Sequence, residues 1–212
     1  GIAGPSEFVH EERDIDGMDI FGCGSIRGCK FKLDVKYYMK NKSVKVKFNG
    51  KAVPNKSFEQ YIDLYIGPKS NAKRVFDSKK RWEIGACLSP LDEFTQVSYV
   101  NGINTLKGGK HVDTIVKQIT SGISKHLQKK HGDIPENYIR NYLKVFINSV
   151  IEDPSFESQC KERLITSPNK FGSKPILPDK LIKKIIDNSD IVDRVVSFTE
   201  FKQAKQSKKT DG

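Results

Sequence analysis

Val112, Ile115, Val116, Ile119, Ile123 and Leu127 recur three and four positions apart, the spacing that lines one face of an α-helix of about five turns. Gly108-Gly109 stands directly before this stripe and lets the chain turn sharply into the helix. A helix with one long apolar face needs a core to cover it. The polar face carries Lys117, Lys125 and Lys129.

Around this helix the periodicity changes. Ser43 to Asn49 alternates Val44, Val46 and Phe48 with Lys45 and Lys47, the period of a strand with one wet face, and Asn49-Gly50 predicts a tight reversal after it. Ser57 is placed to cap a short helix through Phe58, Tyr61, Ile62 and Tyr65 that Gly67-Pro68 stops. Arg81 to Leu88 and Phe94 to Val100 read as strands separated by a Ser89-Pro90 turn. Tyr142 to Ile151 satisfies a helix template as well as a strand buried on both faces. Its β-branched and aromatic residues favour the strand, with Pro154 closing the run. Thr166 to Asp179 is a proline-rich loop, Asp179 is expected to cap a helical segment through Ile182, Ile185 and Ile186, and a second segment follows through Val192, Val195, Val196 and Phe198. Lys202 to Gly212 reads as a frayed basic tail, Gly1 to Phe8 as a cloning remnant, and Asp14 to Lys30 as a glycine-interrupted loop or poor helix.

The chain has 36% hydrophobic residues and 16 glycines among 212, enough to build a core. No run approaches the roughly 20 apolar residues of a membrane helix and no leader is visible, so a soluble intracellular protein without a membrane partner is expected. The formal net charge of +11 favours polyanionic partners. Cys23, Cys29, Cys87 and Cys160 lack paired zinc-ligand spacing and read as reduced structural thiols, with no metal site.

The most informative stretch runs from Glu152 to Glu162, E-D-P-S-F-E-S-Q-C-K-E. A buried strand ends at a proline, and the next loop offers an amide and an ammonium two residues apart. Gln159 can donate a directional hydrogen bond and Lys161 a point charge, a pairing suited to phosphate. A bare Q-x-K also fits a solvated loop, and the surrounding pattern narrows the choice. The segment resembles the N-P-x-F-x-S-Q-T-K-E element of type IIA DNA topoisomerases, with Asp153 for the Asn and Cys160 for the Thr. Lys170-Phe171-Gly172-Ser173 resembles that family's S-F-G-S, and Ser98 to Asp113 is similar to its S-F-V-N-x-I-x-T-x-x-G-G-x-H-V-D signature. Val44 to Gly50 and Tyr61 to Tyr65 are similar to its V-K-V-x-L-N-G and Y-V-D-L-Y stretches.

The resemblance implies the transducer domain, an α/β fold like ribosomal protein S5 with about four strands backed by helices. It divides the chain into an N-terminal segment with an insertion (1–40), the transducer (41–178) and C-terminal helices leading toward a DNA-cleavage core (179–212). Lys161 falls on the family's switch lysine and Gln159 on its companion, both contacting the γ-phosphate of ATP bound mainly by a neighbouring domain of the same polypeptide. Mg2+ is implied there and not on this chain, which alone should be inactive. Lys125, Lys129 and Lys130 match a lysine-rich element facing double-stranded DNA. The implied activity is ATP-driven duplex passage that relaxes or decatenates DNA, in a homodimer. The departures at Asp153 and Cys160 point to a divergent lineage such as a large DNA virus, and leave both the nucleus and a cytoplasmic viral factory open. A mismatch-repair or chaperone ATPase and a generic basic nucleic-acid-binding module are the alternatives. For Asn101, Thr105 and His111 the residues themselves suggest a structural role, satisfying backbone groups, ahead of an anion site at the helix start. Lys79, Lys80 and Arg81 read as plain surface.

Overall fold

A computed structural model describes residues 47–48, 51–52, 57–188 and 190–210, with side chains over 57–187 and 190–201. Asp14 to Lys30, including Cys23 and Cys29, and the Ser43 to Val46 part of the first strand lie outside the described residues. β1 (Lys47–Phe48) pairs antiparallel with β2 (Lys51–Ala52), Phe48 opposite Lys51, so the reversal falls where Asn49-Gly50 predicts it. Ser57 caps α1 (Phe58–Ile66), its hydroxyl accepting from the Gln60 N–H at 3.2 Å, and Gly67 ends the helix.

The main sheet holds β3 (Val75–Lys79), β4 (Trp82–Leu88), β5 (Thr95–Val100), β6 (Ile103–Asn104) and β7 (Leu143–Ser149), in the order β3-β4-β7-β5-β6. β7 is central, antiparallel to β4 (Ile84 opposite Ile147) and parallel to β5 (Ser98 opposite Ile147). Parallel neighbours need a crossover. Here α2 (Lys110–His131) and α3 (Glu136–Asn141) supply it.

Alternation along the strands divides the core in two. Ile84, Ala86, Val100, Val145 and Ile147 pack beneath the apolar stripe of α2, together with Leu181 and Ile185 of α4 (Asp179–Asn188) and Ile191 and Val195 of α5 (Ile191–Thr210). Cys87, Tyr99 and Phe146 point to the opposite face, where Phe58, Tyr61 and Ile62 of α1 cover them. There the Tyr61 hydroxyl lies 2.7 Å from that of Tyr99 and 2.9 Å from that of Tyr65, and burial holds its proton far more tightly than in water. Burial likewise pushes the free Cys87 thiol up to about 11.

The sheet backed by helices is as expected, with β3 and the two-residue β6 at its edges making five strands and β7 between β4 and β5. Other expectations need correction. Asp179 is the first helical residue rather than a cap outside the helix. α5 continues through Lys202 to Thr210, where a frayed tail was expected; no Gly or Pro interrupts Ile191–Thr210, and Lys, Gln and Ala favour helix. Cys160 is disulfide-bonded, not a reduced thiol; it lies exposed on a loop, accessible for pairing, whereas Cys87 is buried. Lys79 and Lys80 are exposed, as expected of a surface run; Lys79 Nζ donates to the Ile176 carbonyl at 2.8 Å, and the half-buried Arg81 bonds the Glu152 carboxylate at 2.7 Å and the Gly172 carbonyl at 3.2 Å.

Two predictions follow from buried contacts at the start of α2. A Cβ on Gly109 (φ +131) would sit 2.2 Å from the Leu164 carbonyl oxygen, whereas Gly132, at the other end of α2 (φ +72), has nothing within 4 Å. Urea unfolding should therefore show Gly109→Ala losing about 3 kcal/mol or more and Gly132→Ala only about 1 kcal/mol. His111 is 0% exposed; Nε2 lies 3.2 Å from Thr105 Oγ1, Nδ1 has no hydrogen-bond partner, and burial lowers its pKa to about 3. The unfolded chain takes up this proton near pH 6.5, so the folded state is fully favoured above about 6.5 and loses stability as pH falls toward 3. Between pH 7 and pH 5 the parent chain should lose about 2 kcal/mol more than His111→Gln; equal losses would show that the imidazole is not the source.

Candidate functional site

Beyond β7 the chain is fastened before it forms a loop. The Asn101 side chain grips Ile151 twice, Nδ2 donating to its carbonyl at 2.9 Å and Oδ1 accepting its N–H at 3.0 Å. After Pro154 the segment doubles back on itself. Ile165 N–H donates to the Ser155 carbonyl (2.9 Å), Ser155 N–H to Thr166 Oγ1 (2.7 Å) and Glu157 N–H to the Arg163 carbonyl (3.0 Å). Lys161 N–H closes the turn onto the Ser158 carbonyl at 3.0 Å, so Ser158 to Lys161 form the tip.

The returning limb is held against the start of α2. Leu164 N–H donates to the Gly108 carbonyl and the Leu164 carbonyl accepts from Lys110 N–H, each at 3.0 Å, and Lys107 N–H donates to the Glu162 carbonyl at 2.9 Å. Gly109 is required here because its missing side chain leaves room for the Leu164 backbone. The first amide of the helix is thereby occupied, which favours the structural reading of this motif over an anion site. Asn101 does satisfy backbone groups, as expected; His111 instead bonds the Thr105 hydroxyl.

Gln159 is exposed and Lys161 half-buried, and neither side chain makes a hydrogen bond or ion pair among the described residues. Lys161 has φ 58, an uncommon conformation for a non-glycine residue. Its neighbour Glu162 is already taken, since Lys107 Nζ lies 2.6 Å from Glu162 Oε2 and that hydrogen bond raises the Lys107 pKa. The tip therefore presents an amide and an unneutralised ammonium together, a pair able to bind an anionic oxygen. Nothing in the spacing of Lys107 and Glu162 announced their pairing.

The third strand of support comes from the K-F-G-S segment. Phe171 is buried with its ring 5.7 Å from that of Trp82, whose Nε1 donates to Ser173 Oγ at 2.8 Å. Glu152 N–H donates to the Phe171 carbonyl at 3.3 Å. This motif anchors the root of the loop.

Lys125, Lys129 and Lys130 lie elsewhere. They are exposed in the C-terminal half of the 22-residue α2, about 22 to 30 Å along the axis from its start. None forms an ion pair among the described residues, and Lys129, Lys130 and His131 in the last turn complement the helix dipole. The structure thus joins Gln159 to Lys161 at one end of α2 and groups the three lysines at the other. Among the described residues there is no group of three or more potential metal ligands, and no helix is long and apolar enough to cross a membrane.

Comparison with known proteins agrees with this architecture. A family model described as DNA gyrase B matches residues 35–211. DNA topoisomerase 2 of Arabidopsis thaliana is 41% identical over 181 residues, covering 81% of this chain and 12% of that protein. DNA topoisomerase 2-beta of Mus musculus is 38% identical over 177 residues, covering 79% of this chain and 11% of that protein. The chain therefore spans only about an eighth of the length of such relatives. The crystal structure of the ATPase and transducer domains of DNA topoisomerase II from Balamuthia mandrillaris superposes with a TM-score of 0.72 at 36% identity, covering 80% of this chain and 43% of that one. The ATPase region of Saccharomyces cerevisiae topoisomerase II gives 0.68 at 33% identity, covering 85% and 47%. These relatives are plant, animal, amoebal and fungal type II topoisomerases, neither viral proteins nor mismatch-repair or chaperone ATPases. The chain belongs to the DNA gyrase B family of type II topoisomerases, and its fold is that of the family's ATPase and transducer region.

Proposed function

We propose that this chain couples ATP hydrolysis in a neighbouring domain of the same polypeptide to movement of a DNA gate, so that one duplex passes through another in a homodimeric enzyme. The observation that carries the reading is the tip of the Ser155–Ile165 loop, where Lys161 stands unpaired beside Gln159 while Lys107 occupies Glu162. Gln159 donates a hydrogen bond to the γ-phosphate, and Lys161 places its ammonium against the charge that develops during phosphoryl transfer. ATP supplies the transferable phosphoryl group when bound, with Mg2+, in the neighbouring domain. Contacts available only while the γ-phosphate is present favour a closed arrangement, and their loss releases the loop. The chain by itself completes no catalytic site.

At the other end of α2, Lys125, Lys129 and Lys130 contact phosphates of double-stranded DNA without reading sequence. The enzyme acts where it meets duplex DNA, in the nucleus or a viral factory. A generic basic module accounts for the net charge but leaves the built loop around Lys161 without a role.

In the full-length enzyme, Lys161→Ala should reduce ATP turnover by roughly two to three orders of magnitude, as loss of a preorganised donor does elsewhere; unchanged turnover would remove Lys161 from the site. Lys129→Glu with Lys130→Glu should lower DNA-stimulated ATPase while sparing the basal rate, and the remaining stimulation should depend less steeply on salt. Equal loss of stimulated and basal rates would point to structural damage instead.

A further inference from the structure

Lys107 touches the Q-x-K loop at two points, through its backbone N–H on the Glu162 carbonyl at 2.9 Å and its ammonium on the Glu162 carboxylate at 2.6 Å. The backbone contact alone fixes the limb, together with the flanking Gly108–Leu164 and Lys110–Leu164 bonds. The side-chain contact is an exposed pair, with Lys107 62% and Glu162 28% accessible, and such pairs add little to stability. Its effect is electrostatic and local. Glu162 follows Lys161 directly in the chain, and charges on neighbouring residues act on one another where they come within the roughly 8 Å screening length at physiological salt. Left unpaired, that carboxylate either captures the Lys161 ammonium or repels an approaching anion.

We propose that Lys107 is a positioning residue for γ-phosphate recognition, neutralising Glu162 so that the Lys161 ammonium remains available to the phosphate. This rests on the reading of Lys161 given above. Lys107 needs no contact with the nucleotide, and it acts only on the ligand that carries the third phosphate. Discrimination between the triphosphate and the diphosphate therefore separates this role from general support of the fold.

The test uses the full-length enzyme and two probes, a nonhydrolysable ATP analogue and ADP, with ATPase kinetics alongside. Lys107→Ala should weaken the ATP analogue about tenfold, by analogy with loss of one compensating charge, and leave ADP affinity and the urea midpoint unchanged. It should raise KM for ATP more than it lowers kcat. Lys107→Arg should behave as the parent, and Lys107→Ala combined with Glu162→Gln should return analogue affinity to within about twofold of it. A double variant as weak as Lys107→Ala would overturn the proposal, because the effect would not run through the Glu162 carboxylate. Equal weakening of analogue and ADP would overturn it as structural damage. If Lys161→Ala impairs analogue binding while Lys107→Ala does not, the Lys107 role fails alone; if Lys161→Ala has no effect, both readings fail together.

Discussion

Two backbone hydrogen bonds between the Gly108–Lys110 segment and Leu164 place the loop that the functional reading depends on. They require a close approach of main chains that a Cβ at residue 109 would block. Because the same segment begins α2, the loop tip and the long helix share one rigid origin. His111 and Thr105 bury their polar atoms beneath this junction, and Asn101 binds the backbone leaving β7. The G-G-x-H pattern therefore contributes by positioning: it sets where the Q-x-K tip stands relative to the sheet.

From that origin α2 runs over the sheet with its apolar stripe fully buried and emerges at a cluster of exposed lysines. A packed helix transmits displacement better than it absorbs it, since close-packed interiors are nearly incompressible. The consequence is a mechanical link between two surfaces with different electrostatic designs. At the loop tip Glu162 is paired with Lys107 beside Lys161. At the far end several exposed lysines that form no ion pair among the described residues share one region with the C-terminal end of the helix dipole.

Much of this was legible in the residues, for physical reasons that differ by element. The stripe from Val112 to Leu127 can satisfy only a helix, and α2 follows it. Val145 and Ile147 on one face and Phe146 on the other explain why Tyr142 to Ile151 looked both helical and strand-like: β7 is central and buried on both sides. β3 was missed because Val75 and Phe76 give way to Asp77, Ser78 and Lys79, an edge strand whose outer half needs no apolar residues. α3 is six residues long and shows too little periodicity to register. The Gln159 and Lys161 pair was visible only through the surrounding motif, and the Lys107–Glu162 bridge was not visible at all. Exposed ion pairs between distant segments leave no pattern in a single chain.

The two departures from the family pattern can now be judged by conformation. Asp153 has φ 40, in the left-handed region that Asn and Asp enter more readily than other side chains. Replacing Asn by Asp thus keeps the turn that leads into Pro154. Cys160 occupies the third position of the Ser158–Lys161 turn, exposed, with Gln159 and Lys161 on either side. The closing hydrogen bond of that turn uses the Ser158 carbonyl and the Lys161 N–H, while the Cys160 side chain is engaged in its disulfide. Tolerance at Asp153 and intolerance at Gly109 have the same cause: the loop is specified by its backbone contacts, so substitutions matter where they alter main-chain approach.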